Sequence, residues 1–213
     1  MDISRVGIFR ITHIDNLEYI LRVGKITRDG SANADPSYIG IGDNELIQLR
    51  EEHQITTADG GNTYYPSRDF IPFYLSPRSV MLYRIHTGYN VAKVKQENIV
   101  HLVFRVADIA DEVDFLFTDG HGYARITAWF ENLDSLDSVD WKILKEKWWN
   151  NTEEDNDRER RKQAEFRIKN ELSLDKIAGV GVYNDEAKAK VEALCLKYGR
   201  DIKVKVQPSY YYQ

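Results

Sequence analysis

Ile99 to Val106 reads Ile-Val-His-Leu-Val-Phe-Arg-Val, apolar almost throughout, and this segment limits the possible folds more than any other feature of the chain. A short run of that kind, rich in β-branched residues, predicts a strand covered on both faces, so a sheet must extend to either side of it. Residues 5–12 alternate, Val6 and Ile8 against Phe9 and Ile11, and predict a first strand. Val113 to Thr118, Ile177 to Val182 and Ile202 to Val206 predict others. Between 164 and 168, Ala164, Phe166 and Ile168 take one face and Glu165 and Arg167 the other, which is again the period of a strand. Helical signals lie between these strands. Asp15 with Glu18 three residues on predicts a capping box, Leu17, Ile20 and Leu21 supply an apolar face, and Gly24 a stop. A short helix from Asp43 would carry Leu46, Ile47 and Arg50. Further helices are expected at about 122–132, at 140–149 with Asp140 as N-cap, and at 185–198 closed by Gly199. Residues 54–70, with Gly60-Gly61, Asn62 and Pro66, read as a long exposed loop. Both element types occur without strict βαβ alternation, so the expected class is α+β.

A chain of 213 residues suits a single core, and no repeat or linker divides it, so residues 1–213 are expected to form one domain. Apolar runs of a few residues fall far short of the ~20 that span a bilayer, and no charged-then-apolar leader opens the sequence. The single cysteine, Cys195, excludes an internal disulfide and fits a reducing cytoplasm. A formal charge of −5 argues against a protein that coats duplex DNA, while leaving room for a local basic groove. Residues 142–171 hold nine basic against eight acidic residues, so Arg158, Arg160, Arg161 and Lys162 are candidate phosphate contacts, or simply a solvated charge run.

No metal or phosphate motif is present. The five histidines, at 13, 53, 86, 101 and 121, do not pair at zinc-ligand spacing, and His101 reads as a core residue of its strand. GxGxxG, GxxxxGK[ST] and GxSxG are all absent. What remains is a set of polar-aromatic clusters. Thr12-His13-Ile14-Asp15-Asn16-Leu17 joins the first strand to the first helix, where backbone N–H groups can receive an anion or where Asp15 and Asn16 merely cap the helix. Asp69-Phe70-Ile71-Pro72-Phe73-Tyr74 and Pro77-Arg78-Ser79-Val80-Met81-Leu82 offer a face for a flat ring, or a core segment. Thr118-Asp119-Gly120-His121 is a turn at a strand end. Glu165 is a carboxylate opening an otherwise buried strand, just after Arg160, Arg161 and Lys162, or simply a surface-facing glutamate on a half-buried one. Tyr64, Tyr65 and Trp149 could stack unpaired bases.

In this order and spacing the clusters resemble the DarT family of DNA ADP-ribosyltransferase toxins. The matching pieces are Ile11-Thr12-His13-Ile14-Asp15-Asn16-Leu17, Ile41-Gly42-Asp43-Asn44-Glu45-Leu46-Ile47 with Arg50, and Ile71-Pro72-Phe73-Tyr74. They continue with Pro77 to Leu82, Phe117-Thr118-Asp119-Gly120-His121, Asp140-Trp141 and Gln163-Ala164-Glu165, so the resemblance covers nearly the whole chain. Two departures stand out: Pro66-Ser67-Arg68-Asp69-Phe70 replaces the family's Leu-His-Asp-Tyr run, and the tail ends Tyr211-Tyr212-Gln213.

The resemblance implies an ADP-ribosyltransferase-like fold, with two small, roughly perpendicular β-sheets around a cleft for NAD+. It implies transfer of ADP-ribose from NAD+ to a base of single-stranded DNA, thymine favoured and guanine the alternative, with no metal. A DarG-like macrodomain antitoxin, no membrane and a monomeric state go with it. By motif, Glu165 matches the catalytic glutamate and Arg50 the catalytic arginine; Thr12, His13, Asn16, Phe73 and Tyr74 match the NAD+ side. Arg78, with Tyr64, Tyr65 and the basic run, would meet the nucleic acid. Two other readings remain: an NAD-dependent transferase acting on RNA or protein, and an inert nucleic-acid-binding module that keeps only the fold.

Overall fold

The computed structural model describes residues 2–28, 30–42 and 53–212. Its strands are β1 (Gly7–His13), β2 (Lys25–Thr27), β3 (Ile55–Thr56), β4 (Thr63–Tyr64), β5 (Phe70–Tyr74) and β6 (Ile99–Arg105). They continue as β7 (Phe115–His121), β8 (Trp129–Phe130), β9 (Ala164–Lys169), β10 (Glu171–Ser173), β11 (Ile177–Val182) and β12 (Val204–Val206). Eight of them form one hydrogen-bonded sheet in the order β12-β11-β6-β1-β5-β9-β7-β8, and β10-β2 and β3-β4 form two small ones. As its sequence requires, β6 has neighbours on both sides, β1 and β11. The sheet is thinnest at its middle. β1 and β5 share one register pair, Phe9 with Tyr74, whereas β1 and β6 pair along all of Gly7 to His13. Four strands thus lie on each side of this joint, and the Arg10 guanidinium reinforces it by donating to the Pro72 carbonyl at 3.0 Å.

One face of the large sheet carries the main core, including Ile8, Phe73, Phe104, Phe117, Phe166 and Ile168. The helix Asp185–Lys197 adds Ala187, Val191 and Cys195 to that core. A second apolar cluster joins Ile11, Ile99, Leu82 and Ile85 to Tyr211 and Tyr212 of the tail. Among the described residues no helix is long and apolar enough to cross a membrane.

Several expected elements differ from those found. The capping box at Asp15 does not form. The His13 side chain accepts the Asp15 N–H at the start of the 3-10 turn Ile14–Asn16, which precedes the helix Leu17–Val23. Asp15 and Glu18 instead turn outward to Lys190 (2.5 Å) and Lys197 (2.6 Å) of the Asp185–Lys197 helix. Gly24 does stop the first helix, at φ +77° with its N–H on the Ile20 carbonyl. The helix expected at 122–132 is absent. Residues 122–127 make successive turns, Ala124 N–H to His121 O and Thr127 N–H to Ala124 O, before β8 stacks Phe130 on Phe117 at 5.2 Å. The helix after Asp140 runs only from Trp141 to Lys145. The segment 54–70 is not structureless, since it contains β3, β4 and the short helix Pro66–Asp69. The helix expected from Asp43, with Arg50, lies outside the described residues.

Candidate functional site

β9 places Glu165 and Arg167 on the face opposite Phe166 and Ile168, and there both are buried, at 6% and 5% exposure. A buried guanidinium and a buried carboxylate need each other. Arg167 Nε and Nη2 both donate to Glu165 Oε2, at 2.7 and 2.6 Å, and Arg167 Nη1 donates to the Pro66 carbonyl at 3.0 Å. The guanidinium carbon also lies 5.4 Å from the centre of the Trp129 ring. The Glu165 backbone is fixed by a break in the ladder. The register of β7 on β9 shifts between Phe117 and His121, and the Thr118 hydroxyl fills the gap by accepting the Glu165 N–H at 2.9 Å. That hydroxyl donates in turn to the Gly120 carbonyl at 2.7 Å. Such irregularities re-aim side chains beside active sites. The backbone approaches here too: a Cβ on Gly122 would stand 3.7 Å from Glu165 Oε2 and 3.0 Å from the Trp129 ring. Gly122, Tyr123, Trp129, Arg167, Pro66 and His53 line a small pocket beside the carboxylate.

Register brings the sequence-predicted residues together. Tyr74 pairs with Glu165 across β5–β9, and Phe9 pairs with Tyr74 across the sheet joint. Directly opposed residues share a face, as do residues two apart on one strand. His13, four residues beyond Phe9 on a regularly paired strand, therefore shares its face with Tyr74 and Glu165. His13 Nδ1 accepts the Asp15 N–H at 3.2 Å and lies 3.4 Å from Asp15 Oδ2, contacts that hold the ring from its Nδ1 side.

Other predicted residues are placed differently. Phe73 alternates with Tyr74 and so faces the main core, fully buried and edge-on to Phe104 at 5.9 Å, with no surface for a ligand. Asn16 is buried and occupied: Oδ1 accepts the Ile39 N–H at 2.9 Å, and Nδ2 donates to the Ile39 carbonyl and to Thr12 Oγ1. Thr12 and Asn16 therefore clamp the segment around Ile39. Arg50 lies outside the described residues.

The basic run is mostly internal wiring. Lys162 is 2% exposed, and its ammonium caps the Trp141–Lys145 helix by donating to the carbonyls of Ile143, Leu144 and Glu146. Burial, with Arg78 nearby, pushes its pKa down to about 8, so it still carries its proton at neutral pH. Arg160 bridges Asp119, Asp157 and Thr127, and Arg161 pairs with Asp140, Asp155 and Asp157. Arg158 donates to the Trp148 and Asn150 carbonyls, and Arg78 to that of Lys145. The Tyr64 hydroxyl donates to Glu131, which pushes its pKa up to about 12, and Tyr65 lies under the Arg68 guanidinium at 4.1 Å. Trp149 is buried and donates to the Tyr212 hydroxyl.

Sequence reasoning singled out Glu165 but gave no role to Arg167, Thr118 or Trp129. The signal for Arg167 was available: opposite charges two apart on a strand whose other face is apolar must share a face. Nothing in the sequence marks Thr118 as a ladder substitute, because that follows from the β7–β9 register.

Known proteins resemble this chain along nearly its whole length. The family described as "ssDNA thymidine ADP-ribosyltransferase, DarT" matches residues 9–212. A DNA ADP-ribosyl transferase from Escherichia coli O127:H6 is 32% identical over 207 residues, covering 96% of this chain and 93% of that protein. One from Thermus aquaticus is 29% identical over 209 residues, covering 97% and 89%. The structure of Thermus sp. 2.9 DarT in complex with ADP-ribosylated ssDNA superposes with a TM-score of 0.86 at 28% identity, covering 97% of this chain and 96% of that one. The same protein in complex with NAD+ gives 0.81, also at 28% identity, covering 97% and 98%. A match that begins inside β1 and ends in the tyrosine tail takes in every element that carries His13, Tyr74 and Glu165, and the chain belongs to the DarT family of ADP-ribosyltransferases.

Proposed function

We propose that this chain transfers ADP-ribose from NAD+ to a thymine base of single-stranded DNA, with Glu165 as the catalytic carboxylate. The observation that carries the reading is Glu165 itself: a buried carboxylate, fixed at its backbone by Thr118, on the same face as Tyr74 and His13. Breaking the nicotinamide–ribose bond sends its electron pair to the pyridinium ring, which leaves as neutral nicotinamide, while positive charge develops at the anomeric carbon. A preorganised carboxylate stabilises that charge. The base nitrogen then forms the new bond to the anomeric carbon, and its proton passes to Glu165. Single-stranded DNA fits this chemistry, since an unpaired base exposes its edge without the few kcal/mol that unpairing costs. His13 would hold a ribose hydroxyl, Tyr74 would flank the nicotinamide, and Arg50 would help hold the carboxylate and stabilise the negative charge that develops on the base as its proton leaves. Thr12 and Asn16 would act by holding the Ile39 segment. A cytoplasmic setting and a DarG-like antitoxin partner belong to the same reading.

The test is mass spectrometry of single-stranded and annealed oligonucleotides after incubation with NAD+. Adducts on thymine in single strands are expected, with the rate lowered about 10²–10³-fold in Glu165→Gln. Adducts on guanine overturn the base assignment. Transfer only to RNA or protein overturns the acceptor, and unchanged transfer by folded Glu165→Gln overturns the catalytic role.

A further inference from the structure

Arg167 is the one guanidinium among the described residues that touches Glu165, and it is nearly as buried as the carboxylate. Arginine stays charged in proteins, so this guanidinium cannot escape the cost of burial by losing its proton. It is compensated on every side: two donors go to Glu165 Oε2, one to the Pro66 carbonyl, and its carbon sits by the Trp129 ring. Both contacts to the carboxylate fall on Oε2, and among the described residues Oε1 is left for a substrate hydroxyl or a base proton. The fork is planar and rigid, so it sets the rotation of the carboxylate as well as its position. Through Pro66 the same side chain also ties the segment between β4 and β5 to the catalytic strand.

We propose that Arg167 is a positioning residue for the transfer reaction. It holds Glu165 by one oxygen so that the other is presented to NAD+ and the acceptor, and it touches neither. The proposal rests on Glu165 being the catalytic carboxylate. A residue that acts only through Glu165 has a distinct kinetic signature. Its loss lowers kcat and leaves NAD+ binding intact, and the loss disappears once Glu165 has been neutralised.

The experiment compares Arg167→Lys, Arg167→Leu, Glu165→Gln and the two double variants with the full-length wild-type protein. Nicotinamide release is followed with water and with a single-stranded oligonucleotide as acceptor. Arg167→Lys keeps the charge but loses the fork, and kcat is expected to fall about 10- to 100-fold with KM for NAD+ unchanged. Arg167→Leu is expected to lose more than Arg167→Lys, which makes lysine a partial rescue. In the Glu165→Gln background neither change should add a further loss. Arg167→Leu strands a buried carboxylate, so its melting temperature should fall, and Glu165→Gln/Arg167→Leu should recover it. This stability cycle reads the coupling without any turnover. Wild-type kcat in Arg167→Lys, a raised KM at unchanged kcat, or full additivity with Glu165→Gln overturns the proposal. Nicotinamide release without a DNA adduct counts against the DNA reading alone.

Discussion

His101 shows how much one side chain can owe to its surroundings. It sits fully buried in β6 between Tyr210 and Tyr211, with Nε2 3.1 Å from the Pro77 carbonyl and Nδ1 unpartnered among the described residues. Burial opposes the charged ring and pushes its pKa from 6.5 down to about 4. The unfolded chain therefore binds the proton first as pH falls. His101 contributes its full stability above about pH 6.5, and that contribution is lost between 6.5 and about 4, in total about 3 kcal/mol. Urea unfolding at pH 7 and pH 4.5 checks this. Wild type should lose stability between the two, and His101→Leu, having no proton to take up, should lose less. An equal loss in both would show that other groups carry the acid sensitivity. Glu165 and Arg167 are the opposite kind of buried charge, paired rather than neutralised. That explains why Arg167→Leu should destabilise on its own yet be tolerated beside Glu165→Gln.

The tail and the strand pattern act together at the scale of elements. Tyr211 and Tyr212 are each 2% exposed. The Tyr211 hydroxyl donates to the Ile99 carbonyl at 2.8 Å, and that of Tyr212 lies at 3.1 and 3.2 Å from the Arg78 and Ser79 carbonyls. Trp149 donates to the same Tyr212 hydroxyl at 3.1 Å, and Gln96 brackets the Tyr212 backbone from both sides. The aromatic terminus is thus a clasp over β6 and the helix Val80–Thr87, not a stacking surface for bases. Tyr212→Phe should leave the Trp149 N–H buried without an acceptor and cost about 1–3 kcal/mol. Thermal unfolding measures that loss, and transfer by the folded protein should be unchanged. Alternation along β5 matters in the same way. Phe73 and Tyr74 were equal candidates for a ligand in the sequence, and the strand period sends one to the core and the other to the face of Glu165.

The charge of the whole molecule shapes how it meets DNA. The net charge is −5, and the run that could have formed a basic patch is consumed by Asp119, Asp140, Asp155, Asp157 and three helix-end carbonyls. That run thus offers few cations to displace counterions from a strand. Binding of single-stranded DNA should therefore depend weakly on salt, with log K against log salt falling no more steeply than about −1.5, the slope for some two phosphates. Fluorescence anisotropy over a salt series reads it, and a slope near −4 would mean a basic surface does form. Arg160→Ala should correspondingly lower stability more than DNA affinity, since Arg160 joins Asp119 and Thr127 at the two ends of the 120–126 turn.

The sequence by itself determined the α+β class, the central strand β6, the helix stop at Gly24, and the two-faced pattern of β9 with Glu165 opposite Phe166. Each of these is local, because strand period, a left-handed glycine and a largely apolar run are properties of neighbouring residues. The ordered motifs also carry the DarT family signature along the chain. The tertiary structure decided what distance along the chain hides. Lysines 190 and 197 draw Asp15 and Glu18 away from the capping box the sequence suggests. Lys162 is a buried helix cap because Ile143, Leu144 and Glu146 arrive from another element. The alignment of His13, Tyr74 and Glu165 on one face depends on a single pair, Phe9 with Tyr74, at the sheet joint. Those contacts are long-range, set by packing and by the need to pair every buried charge, and no local pattern encodes them.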